Sequence, residues 1–296
     1  MTWEIAPPWA NDAKGRPCSF ASLRQIPNEA IDVVITDPPF NETVQKNIIS
    51  GTAMKRFVAA GGKAPDGSRS IPRIDLPFEH LEAYDFAADL VRVAKRWALA
   101  FCAVEDFGEY RRTVGHEQWI RGGIWYKPNS SGQLTGDRPK AAYEGIAIMH
   151  RHTKKQWNGR GSFGVWFAGD EDDENFYVCN GTRGEKDRHP NQKPLALALE
   201  LVAKFTNRGE TVLDPFAGSA RIGEACHALG RHYVGLERDP EWVERARARM
   251  LALELEVPFG AISDEKCLRL CACPKPSGLS GPTARARGRA PAKQAG

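Results

Sequence analysis

The chain has 296 residues, 42% of them hydrophobic, and a formal net charge of +4. This supports one large α/β domain or two small ones, and no apolar run approaches the roughly 20 residues that cross a bilayer. The charge is uneven: 283–296 carries Arg285, Arg287, Arg289 and Lys293 and no acid, leaving the body near neutral, so a nucleic-acid partner would have to be met by local patches.

Met1-Thr2-Trp3-Glu4 shows no basic region leading into an apolar one, so no signal peptide is expected. Seven scattered cysteines fit thiols in a reducing cytoplasm better than a disulfide framework. Residues 1–16 read as irregular, with Pro7, Pro8 and Gly15 as breakers. Residues 17–20 read as a short edge strand and 21–25 as a helical turn.

Ile31, Val33, Val34 and Ile35 form a β-branched run expected of a strand covered on both faces. It runs into Asp37-Pro38-Pro39-Phe40, and the two prolines cannot donate to a ladder, so the strand stops. The product is a stiff corner at the carboxyl end of a strand, where open α/β sheets bind ligands. An exocyclic amino group of a nucleobase suits it. Its nitrogen is a poor nucleophile because the lone pair is delocalised into the ring. Asp37 can accept one amino hydrogen, the Pro38 carbonyl the other, and Phe40 can stack on the base. The plainer alternative is a proline-rich turn capped by Asp37.

Residues 41–78 lack periodicity and hold Lys46, Lys55, Arg56, Lys63, Arg69 and Arg73. A loop this long in a domain is typically a lid or binding loop, so 41–78 is a candidate DNA-touching lid; the alternative is a plain surface loop. Residues 79–95 have helical spacing, 97–104 read as a parallel strand and 107–114 as a short helix. Residues 120–126 and 142–149 read as two further strands with a turn-rich stretch between them. Lys127-Pro128 ends the first of these, and Glu144, either a buried partner or an edge acid, reads with it as structural. In 151–189, basic residues alternate with rings: Lys154, Lys155, Trp157, Arg160, Phe163, Trp166, Phe167 and Tyr177. That suits phosphate contact and base stacking, and makes 151–189 a candidate target-recognition insert. The alternative is rings packing on one another. The acidic run 170–174 would turn away from DNA.

Residues 194–205 read as a helix with Pro194 in its first turn. A strand at 210–213 then enters Asp214-Pro215-Phe216-Ala217-Gly218-Ser219-Ala220-Arg221-Ile222-Gly223. A helix to 229, a strand at 232–236 ending on Glu237, and an amphipathic helix over 241–254 follow. Gly218, Ala220 and Gly223 stand at G-x-G-x-x-G spacing, with Glu237 placed to hold ribose hydroxyls. Such a unit takes a dinucleotide or S-adenosylmethionine. A dinucleotide needs a second mononucleotide half, and after Glu237 only one helix is expected. The other strands must come from earlier in the chain, so the sheet is expected to be circularly permuted, cofactor half last. Cys267, Cys271 and Cys273 lack a fourth ligand at zinc spacing, so no metal is expected. The stretch 257–296 is expected to be a disordered basic tail.

In this permuted order the motifs resemble the β-class DNA amino-methyltransferases. Asp37-Pro38-Pro39-Phe40 is similar to their D/N/S-P-P-Y/F/W motif, and His189-Pro190-Asn191-Gln192-Lys193-Pro194 to their H-P-t-q-K-P element. Asp214-Pro215-Phe216-Ala217-Gly218-Ser219 resembles their D-P-F-x-G-x-G turn, with Ala220 and Arg221 where glycine and threonine are usual. Val234-Gly235-Leu236-Glu237, Trp125-Tyr126-Lys127-Pro128 and Ala142-Tyr143-Glu144 are similar to further family strands. The family often has an acid near Cys18-Ser19, and none is there.

The resemblance implies a Rossmann-like, mostly parallel sheet with an antiparallel edge hairpin, in a methyltransferase domain over 17–256. It implies methyl transfer from S-adenosylmethionine to N6 of an adenine flipped out of double-stranded DNA. The catalytic residues would be Asp37, Pro38, Pro39 and Phe40. The cofactor would meet Asp214, Phe216, Ala217, Gly218, Ser219, Glu237, Asn191, Lys193 and Pro194, without a metal. Members with aspartate in the corner mostly methylate adenine and those with serine cytosine N4, so cytosine N4 is the alternative target. A homodimer and a restriction-endonuclease partner are compatible with the resemblance; a membrane is not expected. Cytosine-C5 chemistry would want a cysteine after the cofactor motif, whereas Pro17-Cys18 precedes it. RNA and protein amino-methyltransferases resemble the unpermuted order. A non-catalytic DNA-binding protein with a decayed cofactor site is the reading from another class, and it would bind no cofactor.

Overall fold

A computed structural model describes residues 3–11, 15, 18–39, 86–127, 139, 142–152, 154–162, 164–167 and 192–270. Its strands are β1 (Trp3–Ala6), β2 (Val33–Thr36), β3 (Trp97–Cys102), β4 (Trp119–Tyr126), β5 (Tyr143–His150), β6 (Val165–Phe167), β7 (Thr211–Asp214) and β8 (His232–Leu236). All eight join one sheet in the order β1-β8-β7-β2-β3-β5-β4-β6. From β1 across to β3 every pairing is parallel. β5 is antiparallel to both its neighbours, and β6 lies parallel to β4. The sheet is thus the mostly parallel α/β sheet expected. The antiparallel hairpin differs in one respect: β6 lies outside it, so it is not the edge.

Among the described residues seven α-helices flank the sheet: α1 (Ser19–Gln25), α2 (Ala87–Val93), α3 (Phe107–Val114), α4 (Leu195–Phe205), α5 (Arg221–Leu229), α6 (Pro240–Glu256) and α7 (Asp264–Leu270). Every residue of β2 and β3 is buried, as befits strands covered on both faces. The period of two then sorts β2 side chains. Val33 and Ile35 join the cluster with Leu201 and Val202 of α4 and Ala225 of α5. Val34 joins the opposite cluster with Leu23 of α1, Leu90 of α2 and Tyr110 of α3. No helix among the described residues is long and apolar enough to cross a membrane.

Three expectations need correction. Residues 3–6 are not irregular; they form β1, in parallel register with β8 from Trp3↔Tyr233 to Ala6↔Leu236. β1 takes the place beside β8, and Ser19 starts a helix rather than continuing an edge strand. That helix is tied back by Ser22, whose Oγ accepts the Ala10 N–H at 3.0 Å and donates to the Cys18 carbonyl at 3.1 Å. The stretch after 256 is not disordered throughout: α7 forms and buries Cys267 in the core. Its anchor is Arg231, fully buried, which donates to Asp264 at 2.5 Å and to the carbonyls of Leu229 and Thr206. The folded unit therefore passes both limits of 17–256. Cys271, Cys273 and the rest of the tail lie outside the described residues, as does the proposed lid at 41–78.

Gly223 sets how closely α5 lies on β8. A Cβ there would come within 2.8 Å of the Tyr233 ring and 3.3 Å of the Met250 sulfur. Gly223→Ala is expected to cost about 1–3 kcal/mol by overpacking, read as a lower urea midpoint at unchanged slope. An unchanged midpoint would show that the ring yields without cost.

Candidate active site

Parallel pairing of β2 with β7 and of β7 with β8 puts three carboxyl ends on one edge of the sheet. Each end delivers an acid: Asp37 just past β2, Asp214 at the end of β7 and Glu237 just past β8. The three are held by different partners.

Asp214 is 2% exposed and is an internal tie. Its Oδ1 accepts the Thr36 hydroxyl at 2.6 Å and the Phe216 N–H at 3.1 Å, and Oδ2 accepts the Tyr233 hydroxyl at 3.4 Å. Burial pushes its carboxyl up to about 7, against the Thr36 and Phe216 bonds.

Glu237 closes the turn that follows β7. Its Oε2 accepts the Gly218 N–H and its Oε1 the Asp239 N–H, each at 2.8 Å. Burial raises its pKa above the ordinary value, and those backbone donors oppose the rise. The Arg238 N–H also opposes the rise, and a carboxylate offers about four acceptor positions, so capacity remains beyond these backbone bonds. The turn passes through Gly218 at φ +49° and Ala220 at φ +60°, both left-handed. Ala220 holds this at a cost of roughly 1–2 kcal/mol that a glycine would not bear. Ala217 and Ser219 are buried, and the Phe216 ring lies against Phe20 and Phe86, with centroids 5.5 and 5.6 Å away.

Asp37 meets a lysine. Lys193 Nζ lies 2.5 Å from Asp37 Oδ2 and 3.3 Å from Glu144 Oε2. Lys127 caps the other oxygen of Glu144. Antiparallel register explains this, since Trp125 stands opposite Glu144 and the Lys127 N–H bonds the Ala142 carbonyl. Burial raises the Asp37 pKa, outweighing the lowering by Lys193. Burial also pushes Glu144 up, but Lys193 and Lys127 outweigh it and leave its carboxyl below the ordinary value. Lys193 is held above the ordinary lysine value: burial lowers it, and the two acids more than offset that.

The expected site residues thus fall into two groups. Asp37, Pro38 and Pro39 form the corner; Asp214, Phe216, Ala217, Gly218, Ser219 and Glu237 form the turn beside it. Pro194 caps α4. Lys193, expected to face the cofactor, has its ammonium on Asp37. Phe40 and Asn191 lie outside the described residues. Sequence reasoning missed Lys127, and left Glu144 open between a buried partner and an edge acid. Two acids and a lysine on three separate segments have no one-dimensional signal. Thr36 and Tyr233 were also missed, as partners of Asp214.

The aromatic residues of 151–189 need a correction. Trp166 is 1% exposed and fills the core under α4, so it is not available for stacking on bases, and Trp157, partly buried, packs its ring 4.7 Å from Phe205. Lys154, Lys155 and Arg160 are at the surface; Phe163 and Tyr177, and the ring of Phe167, lie outside the described residues.

This corner beside a nucleotide-type turn defines a Rossmann-like transferase site. The DNA methylase family matches residues 31–248, and the chain belongs to it. The family covers both adenine-N6 and cytosine-N4 enzymes and is S-adenosylmethionine-dependent, so the protein is a DNA methyltransferase. It is similar to the type II methyltransferase M.HpaI of Haemophilus parainfluenzae, 25% identical over 267 residues, covering 79% of this chain and 73% of that one. It is also similar to the type II methyltransferase M.HinfI of Haemophilus influenzae, 24% identical over 245 residues, covering 77% and 65%. Among solved structures it shares its fold with the cytosine-N4-specific PvuII DNA methyltransferase (14% identity, TM-score 0.56, 91% of each chain). An M1.HpyAVI–SAM complex is also similar (22% identity, TM-score 0.50, 83% of this chain and 99% of that one).

The state of Asp214 has a consequence for stability. Its folded pKa, about 7, lies well above the ordinary aspartate value, so its contribution is greatest below that ordinary value and is lost as pH rises through 7. Asp214→Asn removes that slope. The variant is expected to gain stability relative to wild type as pH rises from 5 to 8, measured as urea midpoints. A difference independent of pH would contradict the assignment.

Proposed function

We propose that the protein methylates the exocyclic N6 of an adenine flipped out of double-stranded DNA. The observation that carries this reading is Asp37 at the carboxyl end of β2, with Pro38 and Pro39 beside it and the Gly218–Glu237 turn on the neighbouring strands. Flipping costs a few kcal/mol of lost stacking and pairing. Asp37 accepts one amino hydrogen and the Pro38 carbonyl the other. Both bonds favour a pyramidal nitrogen, whose lone pair is then available for attack. The nitrogen gains a methyl group and gives up one proton, and Asp37 stands within reach of that proton.

The turn suits S-adenosylmethionine: Glu237 is a half-buried carboxylate with acceptor capacity left for ribose hydroxyls, and Gly218 keeps the backbone low. When bound, the cofactor supplies an electrophilic methyl group. Residues 214–219, Glu237 and the segment entering α4 would hold it. Aspartate rather than serine in the corner favours adenine over cytosine N4 on the resemblance.

Asp37→Ala is expected to reduce methyl transfer by on the order of 100-fold or more while S-adenosylmethionine binds within about twofold of wild type. Full activity in that variant would remove Asp37 from the site. Glu237→Ala is expected to weaken cofactor binding about tenfold or more, as a charge-assisted acceptor is lost; an unchanged dissociation constant by calorimetry would exclude Glu237. Digestion of methylated DNA to nucleosides should yield N6-methyladenine. N4-methylcytosine alone would overturn the choice of base and leave the corner chemistry standing.

A further inference from the structure

We propose that Lys193 is a positioning residue for methyl transfer: clamped between Asp37 and Glu144, it pins the Asp37 carboxylate by Oδ2 and leaves Oδ1 to the target amino group. This rests on the reading of Asp37 as the amino acceptor.

The cluster is asymmetric about Lys193. Lys127, Glu144, Lys193 and Asp37 form a chain of alternating charge. Glu144 has a lysine on each oxygen. Asp37 has one on Oδ2 alone, and among the described residues no donor reaches its Oδ1. Both oxygens of Glu144 therefore face a lysine, by a hydrogen bond at Oε1 and an ion pair at Oε2, whereas only one oxygen of Asp37 does. The lysine is not disposed as a cofactor contact either. Its side chain is 10% exposed, its ammonium lies on two carboxylates, and the Phe101 ring is 4.8 Å away.

Each partner has a distinct task. A carboxylate in an apolar corner drifts towards its neutral form, which would turn an acceptor into a donor. Lys193 opposes that drift and fixes which oxygen is left. Glu144 keeps Lys193 charged and fixed, and Lys127 holds Glu144. Lys193 stays an ammonium throughout, so it takes no proton from the substrate.

The groups facing Asp37 act in known directions. Lys193 and Lys127 lower its pKa, and Glu144 raises it. Asp214, at the end of β7, and Tyr110, from α3, also sense its charge, and burial keeps the Tyr110 phenol neutral. Activity requires ionised Asp37, so it falls as pH drops through the Asp37 pKa. The two flanking substitutions must then move that limb in opposite senses.

The experiment is the pH profile of kcat for methyl transfer to DNA by the full chain. Lys193→Met is expected to move the acid limb to higher pH and to lower kcat at neutral pH on the order of 100-fold. Lys193→Arg, which keeps the cation, is expected to restore the limb towards wild type. Glu144→Gln is expected to move it to lower pH, and this variant answers the question if Lys193→Met does not fold. Both should bind S-adenosylmethionine within about twofold of wild type by calorimetry. Limbs unmoved in both variants, or a limb unmoved with cofactor binding weakened in Lys193→Met, would overturn the inference. Asp37→Ala separates the two levels. If it is inactive while the limbs stay put, only the role of Lys193 falls; if it is active, the reading of Asp37 falls and this inference with it.

Discussion

The seam between β2 and β7 is the constraint on which the site depends. Val33 pairs with Val212 and Val34 with Leu213. Just beyond, the Thr36 hydroxyl meets Asp214 across 178 residues of chain. A parallel ladder fixes the relative height of two strands, so the residues that follow each strand emerge together. One strand delivers Asp37 and its prolines; the other delivers the turn that Glu237 closes. Neither segment is a site by itself.

Three acids at this edge show how environment divides one side-chain type into different tasks. Asp214, met by neutral donors, is shifted to about 7 and ties strands together. Glu237, met by backbone N–H groups, shapes the turn. Asp37 alone has a full positive charge at hydrogen-bond distance. A charged partner is the means by which a buried carboxylate resists protonation. That partner distinguishes a candidate reacting acid from the structural acids beside it.

Much of this was legible in the sequence, for physical reasons. The β2 run is β-branched and ends on two prolines, and the β7 turn combines Gly218 with an apolar strand and helix, so local chemistry marks both. β1 was missed because four residues ahead of Pro7 carry too little periodicity; its order comes from the edge of β8. Trp157 and Trp166 were misread because rings among basic residues look alike on a surface and in a core. Only the packing of α4 against β3 and β4 decides. Lys127, Glu144 and Lys193 required the register of β4 on β5, which no local pattern encodes. α7 was hidden because seven residues are too few to show a helical period, and its place depends on Arg231.

The central claim is that the Thr36–Asp214 contact couples the two halves of the site. The most direct measurement is a double-mutant cycle of Thr36→Val and Asp214→Ala, read on the rate of methyl transfer. Coupling of about 0.5–3 kcal/mol is expected, with the double variant little worse than either single one. Strict additivity of the two losses would contradict the claim and show that the halves are positioned independently.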